Sequence, residues 1–138
     1  MPEHEKYFDP LRRKWVAATP EEKVRQWFIG ILRDQAGVPV WLMNSEVQMM
    51  SGQKPWRADI LVYSRDGSPL AVVECKRPDV QIDAAVAEQA LRYHSVQQVR
   101  YIFLTNGENT YAYVRENSAF LHLDHIPTYS EMIQQCLQ

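Results

Sequence analysis

The stretch RADILVYSRDGSPLAVVECKRP, from Arg57 to Pro78, constrains the chain more than any other segment. ADILVYS and LAVVECK are β-rich apolar runs, and the Asp66-Gly67 pair between them is a turn that joins antiparallel neighbours. Three charges interrupt the apolar pattern: Asp59 in the first run, and Glu74 and Lys76 at the end of the second. Residues two apart on a strand face the same way, so Glu74 and Lys76 project together while Val73 and Cys75 face the other side. Pairing across the turn brings Asp59 toward the same end of the sheet. Two neighbouring carboxylates repel, and burying them unpaired is costly. A divalent cation such as Mg²⁺ neutralises such a pair, since hard oxygen ligands from one or two carboxylates suit it and substrate phosphate completes the shell. Lys76 then sits where it orients or deprotonates a water, or offsets charge developing on phosphorus.

The remaining segments alternate between helix and strand. In TPEEKVRQWFIGILRDQAG, Thr19 is the N-cap, Pro20 opens the helix, Glu21 and Glu22 occupy its first turn and Gly37 stops it. Val24, Trp27, Phe28, Ile31 and Leu32 form its apolar stripe. SEVQMM alternates as a strand, and SGQKP turns into ADILVYS. After LAVVECK, DAAVAEQALRYHSV returns to helical period, YIFLT is a short buried strand, and Asn106-Gly107 turns into TYAYVRE. Helix, three strands, helix, two strands is the order of a sheet flanked by helices. PTYSEMIQQCLQ is expected as a short closing helix, and KYFDPLRRKWVAA as a tail or an extra hairpin. With no repeat, low-complexity tract or linker, the 138 residues are expected to share one domain. Its core covers 19–115, between an N-terminal extension over 1–18 and a C-terminal one over 116–138.

The second helix adds a polar signal. Its apolar stripe runs through Ile82, Ala85, Val86, Ala90 and Tyr93, and Gln89 falls inside that stripe. Gln89 and Tyr93 lie one turn apart, so both can reach the sheet end that carries Glu74 and Lys76.

Asp59, then ECK from Glu74 to Lys76, then Gln89 with Tyr93 resembles the PD-(D/E)xK nuclease signature with its Q-x-x-x-Y helix extension. TPEEKVRQ, SEVQM, RADILVY, VVECKRP, EQALRY and YIFLTNG resemble, in order and spacing, the N-terminal nuclease domain of type I restriction enzyme motor subunits. The resemblance implies a restriction-endonuclease-like αβββαβ core with a mixed central sheet, and hydrolysis of DNA phosphodiesters that depends on Mg²⁺, with Mn²⁺ able to substitute. It implies Asp59 and Glu74 as metal ligands, the backbone carbonyl of Cys75 as a further ligand, Lys76 as the catalytic lysine, and Gln89 and Tyr93 beside them. Glu22 corresponds to the first-helix acid that some members use, although its spacing from Thr19 is equally that of a capping box. Ala58 stands where the family name has proline. The family's large enzymes carry translocase and specificity regions that these 138 residues do not hold. DNA and the subunits of a restriction or DNA-translocating system are therefore the expected partners, and a homodimer is a further option.

A net charge of −2 excludes coating nucleic acid by bulk electrostatics but leaves room for a local basic surface. Arg57, Lys76, Arg77 and Arg92 are expected at the active edge, with Arg25 joining from the first helix, to contact phosphate without reading sequence. Trp56, beside Lys54 and Arg57, either stacks on a base or caps the core; the core is preferred. Cys75 reads as a buried small hydrophobe, and it and Cys136 are expected to be reduced. His122, Asp124 and His125 suggest a transition-metal site, but surface or turn positions are preferred. No apolar run is long enough to span a bilayer and no secretory signal opens the sequence, so a soluble, cytoplasmic protein is expected. The rival to an enzyme is a non-catalytic module that keeps the fold and uses the same edge to hold nucleic acid or protein. The complete Asp59, Glu74 and Lys76 set favours the enzyme.

Overall fold

The computed structural model describes residues 5–136. The described residues open with an antiparallel hairpin, β1 (Lys6–Asp9) and β2 (Lys14–Ala17), so the described part of the N-terminal extension is a hairpin and not a tail. Helix α1 (Pro20–Gly30) starts as its sequence dictates, with the amide of Glu22 donating to Thr19 Oγ1 at 3.1 Å. A single wider turn over Ile31–Gln35 carries it to Gly37, whose φ of +73° suits a residue without a side chain. Val24, Phe28, Ile29 and Leu32 are its buried apolar residues, whereas Trp27, expected in the stripe, is largely exposed.

Six strands follow in sequential order across one sheet: β3 (Met43–Ser51), β4 (Lys54–Tyr63), β5 (Pro69–Cys75), β6 (Tyr101–Thr105), β7 (Thr110–Glu116) and β8 (Ala119–Leu123). Neighbours are antiparallel except β5 and β6, which are parallel and joined by the crossover helix α2 (Ala84–His94). The αβββαβ core is thus α1, β3, β4, β5, α2 and β6, in a mixed sheet flanked by helices. Strand β8 extends the sheet beyond the expected elements; most of its side chains are exposed, so its sequence lacks a buried alternation. The closing helix α3 (Tyr129–Cys136) docks through buried Met132 and through Tyr129, whose hydroxyl donates to the Tyr63 carbonyl at 2.8 Å. The Cys136 thiol, expected to be reduced, lies outside the described side chains.

The sheet separates two apolar layers, alternating residue by residue at Ile60–Leu61 and Val72–Val73. Phe28, Ile60, Val73 and Phe103 belong to the layer under α1 and α3. Trp56, Leu61, Val72 and Ile102 form the layer on the other face, with Leu91 of α2 packed against it. Trp56 is thereby a core residue. Each fully buried aromatic or aliphatic side chain here contributes roughly 1.5–3 kcal/mol of transfer free energy.

Register places the charged residues. Ile60 pairs with Val73 and Leu61 with Val72, so one further step sets Asp59 across from Glu74. On the other side of β4, the pairs Ser45–Ile60 and Val47–Ala58 flank Glu46, whose φ of +53° breaks the ladder opposite Asp59. Positive φ is unfavourable for a residue with a side chain, and such strain collects where surrounding contacts enforce it.

Candidate active site

Asp59, Glu74, Cys75, Lys76, Gln89 and Tyr93 line one cleft of about 480 Å³ where β5 ends and its pairing with β4 stops. Glu74 is held by its strand, paired between β4 and β6. The amide of Lys76 donates to the Thr105 carbonyl at 2.8 Å, continuing the parallel pairing one residue past β5 and fixing where Lys76 emerges. Its ammonium meets Glu74 Oε2 at 2.8 Å. The other oxygen, Glu74 Oε1, lies 2.9 Å from His94 Nε2. Asp59 Oδ2 accepts the Cys75 amide at 2.7 Å. The structure therefore brings Asp59, Glu74 and Lys76 together around the main chain of Cys75. The Cys75 thiol is buried, and burial pushes its pKa well up, which leaves it no nucleophilic character.

The two carboxylates sit in opposed electrostatic settings. Burial raises the pKa of Asp59; the Cys75 amide and the Arg25 guanidinium only partly counter it, and Glu21 and Glu74 add to the rise. Burial acts the same way on Glu74, but hydrogen bonds from His94 and Lys76 outweigh it and hold Glu74 at about 2. The hydrogen bond to Glu74 in turn raises Lys76. Asp59 is thus a half-buried carboxylate with too little counter-charge, its nearest guanidinium nitrogen on Arg25 being 3.8 Å away. Among the described residues, no three His, Cys, Asp or Glu side chains are grouped for a metal ion. Two carboxylates, Asp59 and Glu74, do line the cleft, and hard oxygens of this kind are of the type that suits Mg²⁺.

Other expected site residues lie elsewhere. The carboxylate of Glu22 binds Arg12 at 2.6 Å and Gln26 at 3.1 Å in a neighbouring cleft, and Glu21 is the first-helix acid that faces Asp59 and Glu74. Glu22 completes only half a capping box, because the Thr19 amide donates to the Ala17 carbonyl. Arg25 is 4% exposed and surrounded by Glu46 at 3.2 Å, Glu22 at 3.6 Å, and Glu21 and Asp59 at 3.8 Å. This is a correction to its expected place on the DNA-facing rim: it is an internal counter-charge. Arg57 is exposed and lines the main cleft. Arg77 lines the neighbouring cleft and pairs with Asp79 at 3.3 Å. Arg92 is exposed, pairs with Glu88 at 3.3 Å and lines neither cleft. Tyr93 accepts the Arg57 amide at its hydroxyl at 2.9 Å, tying α2 to β4, while Gln89 is exposed on the cleft wall. His122 packs edge-on against Tyr113, and His125 bonds Asp124 at 2.7 Å on the surface.

His94, Glu21, Arg12 and Glu46 are residues of the two clefts or their ion pairs that sequence reasoning does not single out. For His94 a signal exists: the row Ile82, Val86, Ala90 continues by a step of four to His94 and not to Tyr93. His94 is 1% exposed and Tyr93 is 42% exposed.

Residues 20–127 match the family described as type I restriction enzyme R protein N terminus (HSDR_N). The chain belongs to this family. The HSDR_N match runs from α1 through β8, leaving the β1–β2 hairpin and α3 outside it. No curated protein matches the chain. Among solved structures, this HSDR_N chain is similar to a fragment of a protein assigned as an HsdR subunit of a type I restriction enzyme from Vibrio vulnificus. The TM-score is 0.62 at 20% identity, over 86% of this chain and 25% of that one. It is also similar to a protein assigned as a nuclease of the DUF820 group from Anabaena variabilis, with a TM-score of 0.53 at 13% identity over 98% of this chain and 88% of that one. At these identities the likeness is one of fold. The chain spans about a quarter of that Vibrio fragment. No helix among the described residues is long and apolar enough to cross a membrane.

Proposed function

We propose that this chain is a metal-dependent deoxyribonuclease domain that hydrolyses DNA phosphodiester bonds within a restriction system in the cytoplasm. The observation that carries the reading is the meeting of Asp59, Glu74 and Lys76 at one rim of the sheet. Membership of the HSDR_N family and a fold like that of an assigned nuclease support it.

Asp59, Glu74 and the Cys75 carbonyl are the groups that would hold Mg²⁺, or Mn²⁺ in its place. Such an ion, when bound, polarises a phosphoryl oxygen and makes a bound water more acidic. Glu74 stays ionised throughout the neutral range, so it is a standing ligand. Lys76 retains its proton because its pKa is raised. As a cation it would meet charge developing on the phosphate oxygens. Gln89 offers amide donors from the opposite wall, Tyr93 keeps α2 seated against β4, and Arg57 supplies an exposed positive charge for the DNA backbone. A restriction enzyme's translocating and specificity subunits are the partners that would deliver DNA.

The test is incubation of the purified chain with linear, circular and single-stranded DNA in Mg²⁺ or Mn²⁺, beside Asp59→Ala and Lys76→Ala. Wild type is expected to cut at least about 100-fold faster than either variant. Equal behaviour of all three removes the assignment.

A further inference from the structure

We infer that His94 is a positioning residue for Glu74, fixing from inside the fold the direction of the carboxylate that would receive the cation. The inference rests on the nuclease reading and extends it to a residue outside the signature. His94 is the last residue of α2 and is 1% exposed. Its helical row is otherwise apolar, so an aliphatic side chain would fill the position without bringing a polar group into the core. What imidazole adds is one contact, Nε2 to Glu74 Oε1 at 2.9 Å. A carboxylate only accepts, so the proton of this bond is on Nε2.

Two further observations give the contact a purpose. The second ring nitrogen, Nδ1, is buried without a hydrogen-bond partner among the described residues, an uncompensated desolvation that a purely structural position would shed. The ring is also wedged edge-on between Trp56, at 5.7 Å and 88°, and Tyr93, at 4.9 Å and 86°. These neighbours fix its plane. Lys76, on the opposite oxygen of Glu74, is a flexible side chain 35% exposed to solvent. When its ammonium turns to a phosphate, His94 is the partner that stays, and Glu74 keeps its orientation. Hydrogen bonds behind metal ligands commonly carry ten- to hundredfold effects on metal affinity.

Two variants separate positioning from packing: His94→Leu fills the space without a donor, and His94→Gln keeps an N–H. Free Mn²⁺ is measured by electron paramagnetic resonance without DNA, and cleavage is resolved into kcat and KM. His94→Leu is expected to weaken Mn²⁺ binding about tenfold and to lower kcat with KM for DNA unchanged, while His94→Gln recovers most of the affinity. Wild-type behaviour of His94→Leu, or equal loss in both variants, overturns the inference. Should His94→Leu fail to fold, imidazole nitrogen NMR of the metal-free wild type decides. A proton on His94 Nε2 and a shift of that signal on adding Mg²⁺ support positioning; a proton on Nδ1, or no response to bound Mg²⁺, overturns it. If wild type takes up neither cation and does not cut, the nuclease reading falls and the inference with it. If wild type binds and cuts but the variants match it, only the inference falls.

Discussion

The Cys75 amide donates to Asp59 Oδ2 at 2.7 Å, fastening the two carboxylate-bearing strands at the point where their ladder ends. That single amide leaves Asp59 short of compensation, and burial raises its pKa above the ordinary 3.8. Ionising it therefore costs the fold stability as pH rises from its ordinary value through its folded one. Asp59→Asn is expected to abolish cleavage and, in metal-free buffer at neutral pH, to raise Tm by a few degrees. The gain should vanish below about pH 3.8, where wild-type Asp59 is protonated in both states. Thermal unfolding of the pair across pH checks this; a lower Tm for Asp59→Asn at neutral pH contradicts it.

Glu74 has the opposite linkage. Burial opposes its charge, but His94 and Lys76 hold it at about 2 against an ordinary 4.5. Its contribution is present above about pH 4.5 and is lost as pH falls through about 2. A shift of this size is worth on the order of 3 kcal/mol. Urea midpoints of wild type should fall between these limits by more than those of Glu74→Gln, which lacks the titrating group.

Arg25 is closed in by four carboxylates, and removing its charge leaves them facing one another. Arg25→Met is expected to cost about 3–5 kcal/mol, the range for breaking a buried ion pair. Because this guanidinium does not reach solvent, Arg25→Lys should leave the salt dependence of DNA binding unchanged. Arg57→Ala should lower that slope by about one. Binding titrations over a range of salt distinguish the two; a reduced slope for Arg25→Lys would return it to the DNA-facing rim.

Tyr93 touches the Arg57 main chain and not Glu74. Tyr93→Phe should cost about 1 kcal/mol of stability, the worth of one hydrogen bond, and slow cleavage less than about tenfold. Gln89→Ala, which removes cleft-wall donors, should slow it more. Single-turnover rates order the two, and the reverse order would place the Tyr93 hydroxyl at the reacting centre.

The hairpin around Asp66-Gly67 and the convergence of Asp59, Glu74 and Lys76 were legible because strand periodicity and turn chemistry are local. Helix α2 was legible to within one position. Tyr93 fits the apolar row by its ring, but the packing beneath Glu74 takes the His94 imidazole and leaves Tyr93 42% exposed. Arg25 was illegible for another reason: its partners Glu46 and Asp59 come from β3 and β4, and no spacing in α1 announces them. Strand β8 is not legible because none of its side chains is buried and its two half-buried ones, Phe120 and Leu123, are three residues apart.

Every group proposed for the chemistry precedes Tyr101, yet β5 gains its neighbour on the far side only when residues 101–105 join it. Long-range parallel pairing is slow, since the intervening loop must close before any contact rewards it. A ribosome-bound chain that ends short of β6 carries these groups but lacks the strand that pairs with Glu74 and accepts the Lys76 amide. Assembly of the rim thereby waits on residues 101–105.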